Sequence, residues 1–233
     1  MSGRERKAVV FDGVPTAPYN QPVSGDLSYY VLLIPAVLLA ITFHEFAHAR
    51  VALAFGDRTA EDAGRVTLNP IAHLDPIGTI GFIIGGFGWG RPVPVNPSQM
   101  SHPRADFFVS AAGPASNLVI AVAAAALLRV LLLSDTLLAG SLGVGIVGFL
   151  HLLIQINLVL CFFNLLPIFP LDGSHMAENL LPLEQAYSFK RFNEAYGMPI
   201  LFSLIALGVM TGFSPLRFVL GPPIALVKSL LLP

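Results

Sequence analysis

The chain is almost continuously apolar from about Tyr29 to Phe55, from Phe107 to Leu133 and from Leu142 to Leu166. Each run exceeds the roughly 20 residues that cross a hydrocarbon layer of about 30 Å, so each predicts a spanning helix. A fourth apolar stretch, about Pro199 to Leu232, is interrupted at GFSPLR and GPP. It predicts either one span followed by a lipid-lying segment or a broken pair. Between the first two spans, TLNPIAHLDPIGT leads into GFIIGGFGWG and RPVPVNP. The glycine-rich piece is too short to span, so residues 77–97 read as a re-entrant loop or β-hairpin, with PVPVNP as an extended edge. Pro167 and Pro170 end the third span, because proline lacks the backbone donor and clashes with the preceding turn. Residues 174–195, with Glu178, Glu184, Lys190 and Arg191, read as a more polar, partly amphipathic helical region. The fold class expected is mainly α: a polytopic transmembrane helical bundle with a short re-entrant or β-hairpin region. Residues 1–27 form a polar, proline-punctuated tail and 28–233 one integral-membrane domain, without internal repeats.

Composition agrees. Of 233 residues, 55% are hydrophobic and 12% charged, about half the charged share of soluble domains. A net charge of −1 with 13 scattered Lys and Arg gives no clustered basic face, which excludes nucleic acid as a partner. Cys161 is the single cysteine, so any metal must be held by His, Asp or Glu. The N-terminus starts basic but has no apolar core of signal-peptide type. Arg50, Arg58, Arg65, Arg91, Arg104, Lys190 and Arg191 flank the spans on one side, against Arg4, Arg6, Lys7 and Arg129 on the other. The positive-inside rule makes the first side cytoplasmic, although the basic tail runs against it.

The first span carries HEFAH, residues 44–48. Side chains four apart share a helix face, so His44 and His48 can direct ring nitrogens at one ion. Glu45 is rotated by about 100°, too far to ligate beside them but close enough to reach a water at that ion. This is the H-E-x-x-H arrangement of zinc peptidases. A carboxylate in mid-span costs roughly 3 kcal/mol, which an idle residue does not repay. Pairing of Glu45 with Arg50, or imidazoles acting as buried donors, would leave the ligand spacing unexplained. Catalytic zinc usually takes three protein ligands and keeps one position open. Asp172, His73, His151, His175 and the other carboxylates are candidates for the third. Asp172 is favoured because two prolines open the backbone before it and Gly173 allows close approach.

With GPASN at 113–117 and NLLPIFPLDG at 164–173, the HEFAH span resembles the three signatures of the site-2 proteases, intramembrane zinc metallopeptidases. The likeness covers about residues 30–180, and GRVTLNPIAHLDPIGT and GWGRPVPVNP resemble the small bacterial and archaeal members. It implies one catalytic Zn2+ on His44, His48 and Asp172, Glu45 as general base, and a place near the site for Asn117 and Asn164, which read equally as bonds to substrate backbone or the developing oxyanion and as helix-to-helix packing. It implies a transmembrane protein or peptide as substrate, cut within or beside its transmembrane helix, with the active site nearer the cytoplasmic side. Oligomeric state is not implied. Phe169 stands where the family often has proline, and only about ten residues separate the second and third spans, without a PDZ-like insertion or an appended nucleotide-sensing domain. Asn157 reads as helix packing, His175 and His73 as cavity or loop histidines, and His102 and His151 as ordinary. A metal transporter or sensor using the same His and Asp is the alternative, and it would require Glu45 as ligand or carrier.

Overall fold

A computed structural model describes residues 27–85, 88–133 and 141–232. Residues 1–26 of the expected tail, including Arg4, Arg6 and Lys7, lie outside the described residues. The elements are α1 (Leu27–Ala54), α2 (Thr59–Asp62), α3 (Pro76–Gly85), α4 (Ala105–Leu131), α5 (Ser141–Asn164), α6 (Asp172–Leu180), α7 (Leu183–Thr211) and α8 (Pro215–Leu231). Among the described residues, four helices are long and apolar enough to cross a membrane: α1, α4, α5 and α7.

The first three expected spans appear within about two residues of their predicted ends. The fourth starts at Leu183 rather than near Pro199, so α7 absorbs most of the polar region before it. Of its charged residues, Lys190 lies 3.6 Å from Glu178 of α6 and 3.9 Å from Glu194. The helix stops at Gly212, whose φ of +74° is left-handed backbone that glycine adopts without a Cβ clash. The break at GFSPLR is therefore observed. GPP is no break, since α8 runs through Pro222 and Pro223.

Helices α1, α4 and α5 pack on one another around Ala36, Ala121, Ala124, Ala125, Leu128, Leu150, Leu153, Ile154 and Leu158. Alanines at these positions let the backbones approach, which matters because lipid supplies no hydrophobic drive between helices. On α1 the buried stripe Ala36, Ala40, His44, His48 and Ala52 recurs every fourth residue, so the packing face of the helix is also the face bearing the imidazoles. Helix α8 covers the trio with Ile224, Val227 and Leu231. Lys228 donates to Gln155 at 2.8 Å, and Arg129 to the Leu230 carbonyl at 2.9 Å.

The 77–97 segment begins as helix α3, not as a strand. Its start is Asp75-Pro76: the Asp75 carboxylate accepts from Gly78 N–H at 2.8 Å, and proline suits the first helical position. Among the described residues no β-hairpin forms; the returning half closes on the entering half through an isolated bridge, Leu74 to Gly90, and through Arg91 N–H to the His73 carbonyl at 2.8 Å. Gly78 permits this closure, since a Cβ there would come within 2.9 Å of the Trp89 nitrogen and 3.0 Å of its carbonyl carbon.

Asp57, fully buried just beyond α1, ties that helix end to the 91–97 segment. Its carboxylate accepts from Thr59 N–H at 2.9 Å, from the Thr59 hydroxyl, and from Asn96 N–H at 2.6 Å. Burial alone would raise its pKa. The hydrogen bonds outweigh burial and hold the carboxyl below its ordinary value. A depressed folded-state pKa contributes stability that is complete above the unfolded value of about 3.9 and is lost as pH falls through the folded one. Asp57→Asn is expected to cost about 1–3 kcal/mol at neutral pH and to flatten the acid limb of melting temperature against pH below about 4. Thermal unfolding in detergent from pH 3 to 7 measures both.

Candidate metal centre

The site is assembled from α1, α4 and the start of α6. His44 and His48 are buried, and their Nε2 atoms lie 3.0 Å apart. Asp172 meets both, with Oδ2 3.2 Å from His44 Nε2 and Oδ1 3.3 Å from His48 Nε2. One ligand atom from each of the three residues lies within 4.8 Å of the others.

Helix α4 sets the imidazoles by three residues spaced four apart, Val109, Gly113 and Asn117, which share one face. The Val109 carbonyl accepts from His48 Nδ1 at 2.7 Å. Asn117 Oδ1 accepts from His44 Nδ1, also at 2.7 Å. A carbonyl can only accept, so His48 carries its proton on Nδ1. Asn117 donates through its nitrogen to the Ala40 carbonyl at 3.1 Å and to Asn157 Oδ1 at 2.8 Å, which fixes its oxygen toward His44 and puts that ring's proton on Nδ1 as well. Gly113 supplies space: a Cβ there would lie 2.6 Å from His44 Cε1, 2.7 Å from His44 Nε2 and closer still to His48 Nε2.

This geometry tests whether the residues suit a metal. With both Nδ1 atoms committed to acceptors, the two Nε2 atoms face one another and the Asp172 carboxylate, whose Oδ2 is buried without a hydrogen-bond partner. Such a set is repulsive without positive charge at its centre. Nitrogen and carboxylate donors with their second nitrogens oriented by acceptors are what zinc takes. The residues fit.

Glu45 stands apart from the cluster. Its Oε2 accepts from Val93 N–H at 2.9 Å. Arg65, 5% exposed, braces the same segment by donating to the Arg91 carbonyl and, at 3.2 Å, to that of Pro92. At Gly90 a Cβ would meet Ile41 Cγ2 at 2.9 Å, so this glycine lets the segment close on α1.

Of the residues singled out from sequence, His44, His48 and Asp172 come together and Glu45 lies beside them. Asn117 is fully buried, with its oxygen and nitrogen both committed to protein partners. Asn164 donates to the Leu160 carbonyl of its own helix at 3.0 Å. His73 donates from Nε2 to the Thr67 carbonyl at 2.8 Å, and the His175 ring lies 6.5 Å from that of Phe169. Sequence reasoning missed Val109, whose contribution is a carbonyl that any residue carries. It also treated Asn157 as packing, whereas Asn157 completes the fully buried amide pair behind His44.

The sequence profile of Peptidase family M50 matches residues 32–207. "Putative zinc metalloprotease YwhC" of Bacillus subtilis (strain 168) is 46% identical over 157 residues, 67% of this chain and 72% of its own length. "Putative zinc metalloprotease Rip2" of Mycolicibacterium smegmatis is 36% identical over 155 residues, 63% of this chain and 57% of that protein. The same-named protein of Mycobacterium tuberculosis H37Rv is 38% identical over 152 residues, 62% and 55% of the two chains. The chain thus spans little more than half the length of the mycobacterial relatives. No solved structure matches it.

Asn117→Ala is expected to weaken zinc binding about 10- to 100-fold, the usual cost of removing a group that orients a ligand histidine. Gly113→Ala should do at least as much by displacing both rings. Competition with a chromophoric chelator, on protein whose fold is checked by circular dichroism, measures each.

Proposed function

Because the chain belongs to peptidase family M50, the site-2 protease family, we propose that it is an intramembrane zinc endopeptidase, with one ion held by His44, His48 and Asp172. Its substrates are membrane proteins, and the bond cut lies within or beside a transmembrane helix. The observation that carries this reading is the separation of roles inside HEFAH. The two imidazoles and Asp172 converge on one point, while the carboxylate between them is held by a backbone N–H and is free of ligand duty. A transporter or sensor would need Glu45 among the ligands.

Zinc, when bound there, supplies a Lewis acid that polarises a scissile carbonyl and brings the pKa of water near 7. Glu45 then acts as general base, taking a proton from the attacking water and returning it to the leaving amine. Val93 N–H fixes one oxygen of this carboxylate and leaves the other for the proton. Asn117 and the Val109 carbonyl hold the histidine tautomers. Asn164, in the last turn before the proline break, is the remaining candidate for bonding substrate backbone.

A helical amide is hidden in its own hydrogen bond, so the substrate must be drawn out locally. Segment 91–96 suits that task. Pro92 and Pro94 lack N–H groups, which leaves donors at Val93 and Val95, and alternate N–H groups of an extended strand point the same way. Val93 N–H points at Glu45. With Val93 N–H committed to Glu45, a substrate strand bonded to the Val95 N–H would therefore lie on the catalytic side of the segment. The basic flanks of the spans favour placing the site nearer the cytoplasmic face.

Glu45→Gln should retain zinc and lower cleavage of a single-span substrate in proteoliposomes by about 100-fold or more. His48→Ala and Asp172→Ala should lose the metal itself. Zinc content by elemental analysis alongside a gel assay of cleavage separates the outcomes, and undiminished cleavage by the glutamine variant would end the general-base assignment.

A further inference from the structure

Asp172 reaches the imidazoles from the end of an irregular segment, residues 165–171, that leaves α5 after Asn164 and starts α6. Such backbone has no ladder of its own to fix it. Local bonds supply part of what is needed: Ile168 N–H to the Leu166 carbonyl at 2.8 Å, Leu171 N–H to Ile168 at 2.9 Å, and the buried Ser174 hydroxyl to Leu171 at 2.7 Å. Gly173 lies so close to the end of α5 that a Cβ would overlap Leu165 and sit 2.5 Å from the Leu166 carbonyl oxygen.

The remaining restraint comes from α7. Asn193, 3% exposed, accepts from Phe169 N–H through Oδ1 at 3.0 Å and donates from Nδ2 to the Pro167 carbonyl at 3.1 Å. One side-chain amide thus bridges both ends of the tripeptide Pro167–Phe169, in the manner of a paired strand. Gly197, one turn on, makes the approach possible: a Cβ there would lie 2.8 Å from the Phe169 Cβ and carbonyl oxygen and 2.9 Å from Asn193 Oδ1. Asn193, Gly197 and Leu201 are the buried residues of α7 and lie on one face at four-residue spacing. The face that this helix buries is directed at the segment delivering Asp172.

We propose that Asn193 is a positioning residue for Asp172, holding the Pro167–Phe169 segment so that the carboxylate meets His44 and His48, with Gly197 as the clearance it requires. The proposal rests on the metal-site reading above. It makes α7 more than a lipid-facing span, because its seating is transmitted to the third ligand through one amide.

The test uses the full chain in detergent, stripped of metal and titrated with Co2+ in the visible and with Zn2+ against a chelator. Asn193→Ala and Asn193→Asp are compared with Leu201→Ala, a cavity variant on the same buried face that leaves the amide intact. Asn193→Asp keeps the acceptor for Phe169 N–H and loses the donor to Pro167, so it decides the matter where the alanine variant fails to fold. The expected result is zinc binding weakened about 10-fold or more in the Asn193 variants, with an altered cobalt spectrum and a fall in kcat at unchanged KM. Leu201→Ala should melt earlier yet bind and colour like wild type. Wild-type binding and spectra in both Asn193 variants would overturn the proposal, as would equal weakening in Leu201→Ala. A wild-type chain that takes up no cobalt would instead overturn the metal-site reading on which the proposal stands.

Discussion

Two imidazoles can present lone pairs to a common centre only where each has an acceptor waiting at its other nitrogen. In hydrocarbon no water fills that role, so the acceptors must come from the neighbouring helix, at positions fixed to a fraction of a turn. Val109 and Asn117 meet that requirement for His48 and His44. Most of what surrounds them follows from bringing α4 close enough to do so. The alanines of α1 and α4 thin the interface, Gly113 removes the side chain that would occupy the centre, and Asn157 on α5 satisfies the amide that satisfies His44.

The proposed base is managed differently from the proposed ligands. Glu45 shares the helix of His44 and His48 but looks to the loop between α1 and α4, where Val93 supplies the donor and Arg65 and His73 secure the strand that carries it. One helix therefore feeds two environments. Its packed face builds a rigid centre among helices, and the adjacent face meets extended chain that can exchange hydrogen bonds with another polypeptide.

The sequence made the spanning helices legible because hydrocarbon imposes a length and an apolar composition that few other settings demand. It made HEFAH legible because its cost in that solvent marks it out. The Asp172 segment was readable through its prolines, which open the backbone by a local rule. Where the reading stopped short, the deciding information was not local. Leu183–Thr211 is one helix whose charged first half, where Lys190 meets Glu178 of the preceding helix, runs unbroken into the apolar half. Residues 76–85 form a helix because Asp75-Pro76 caps it, a signal present in the sequence but outweighed there by the glycines. Asn193 looks like any polar residue on an amphipathic stretch until the proline break is placed against it. Val109 acts through a group that carries no side-chain identity at all.

The segment from Arg91 to Asn96 is fastened at both ends, by the Arg65 guanidinium at one and the Asp57 carboxylate at the other. A segment pinned at two points cannot slide along its own axis. Because side chains alternate strictly along extended backbone, a partner that shifted by one residue would turn every side chain to the opposite side. The segment therefore has the properties of a ruler with its zero mark fixed against Glu45. On the proposed function, a substrate that paired with it would present bonds to the centre in steps of two residues, so its cleavage pattern would record register as much as sequence.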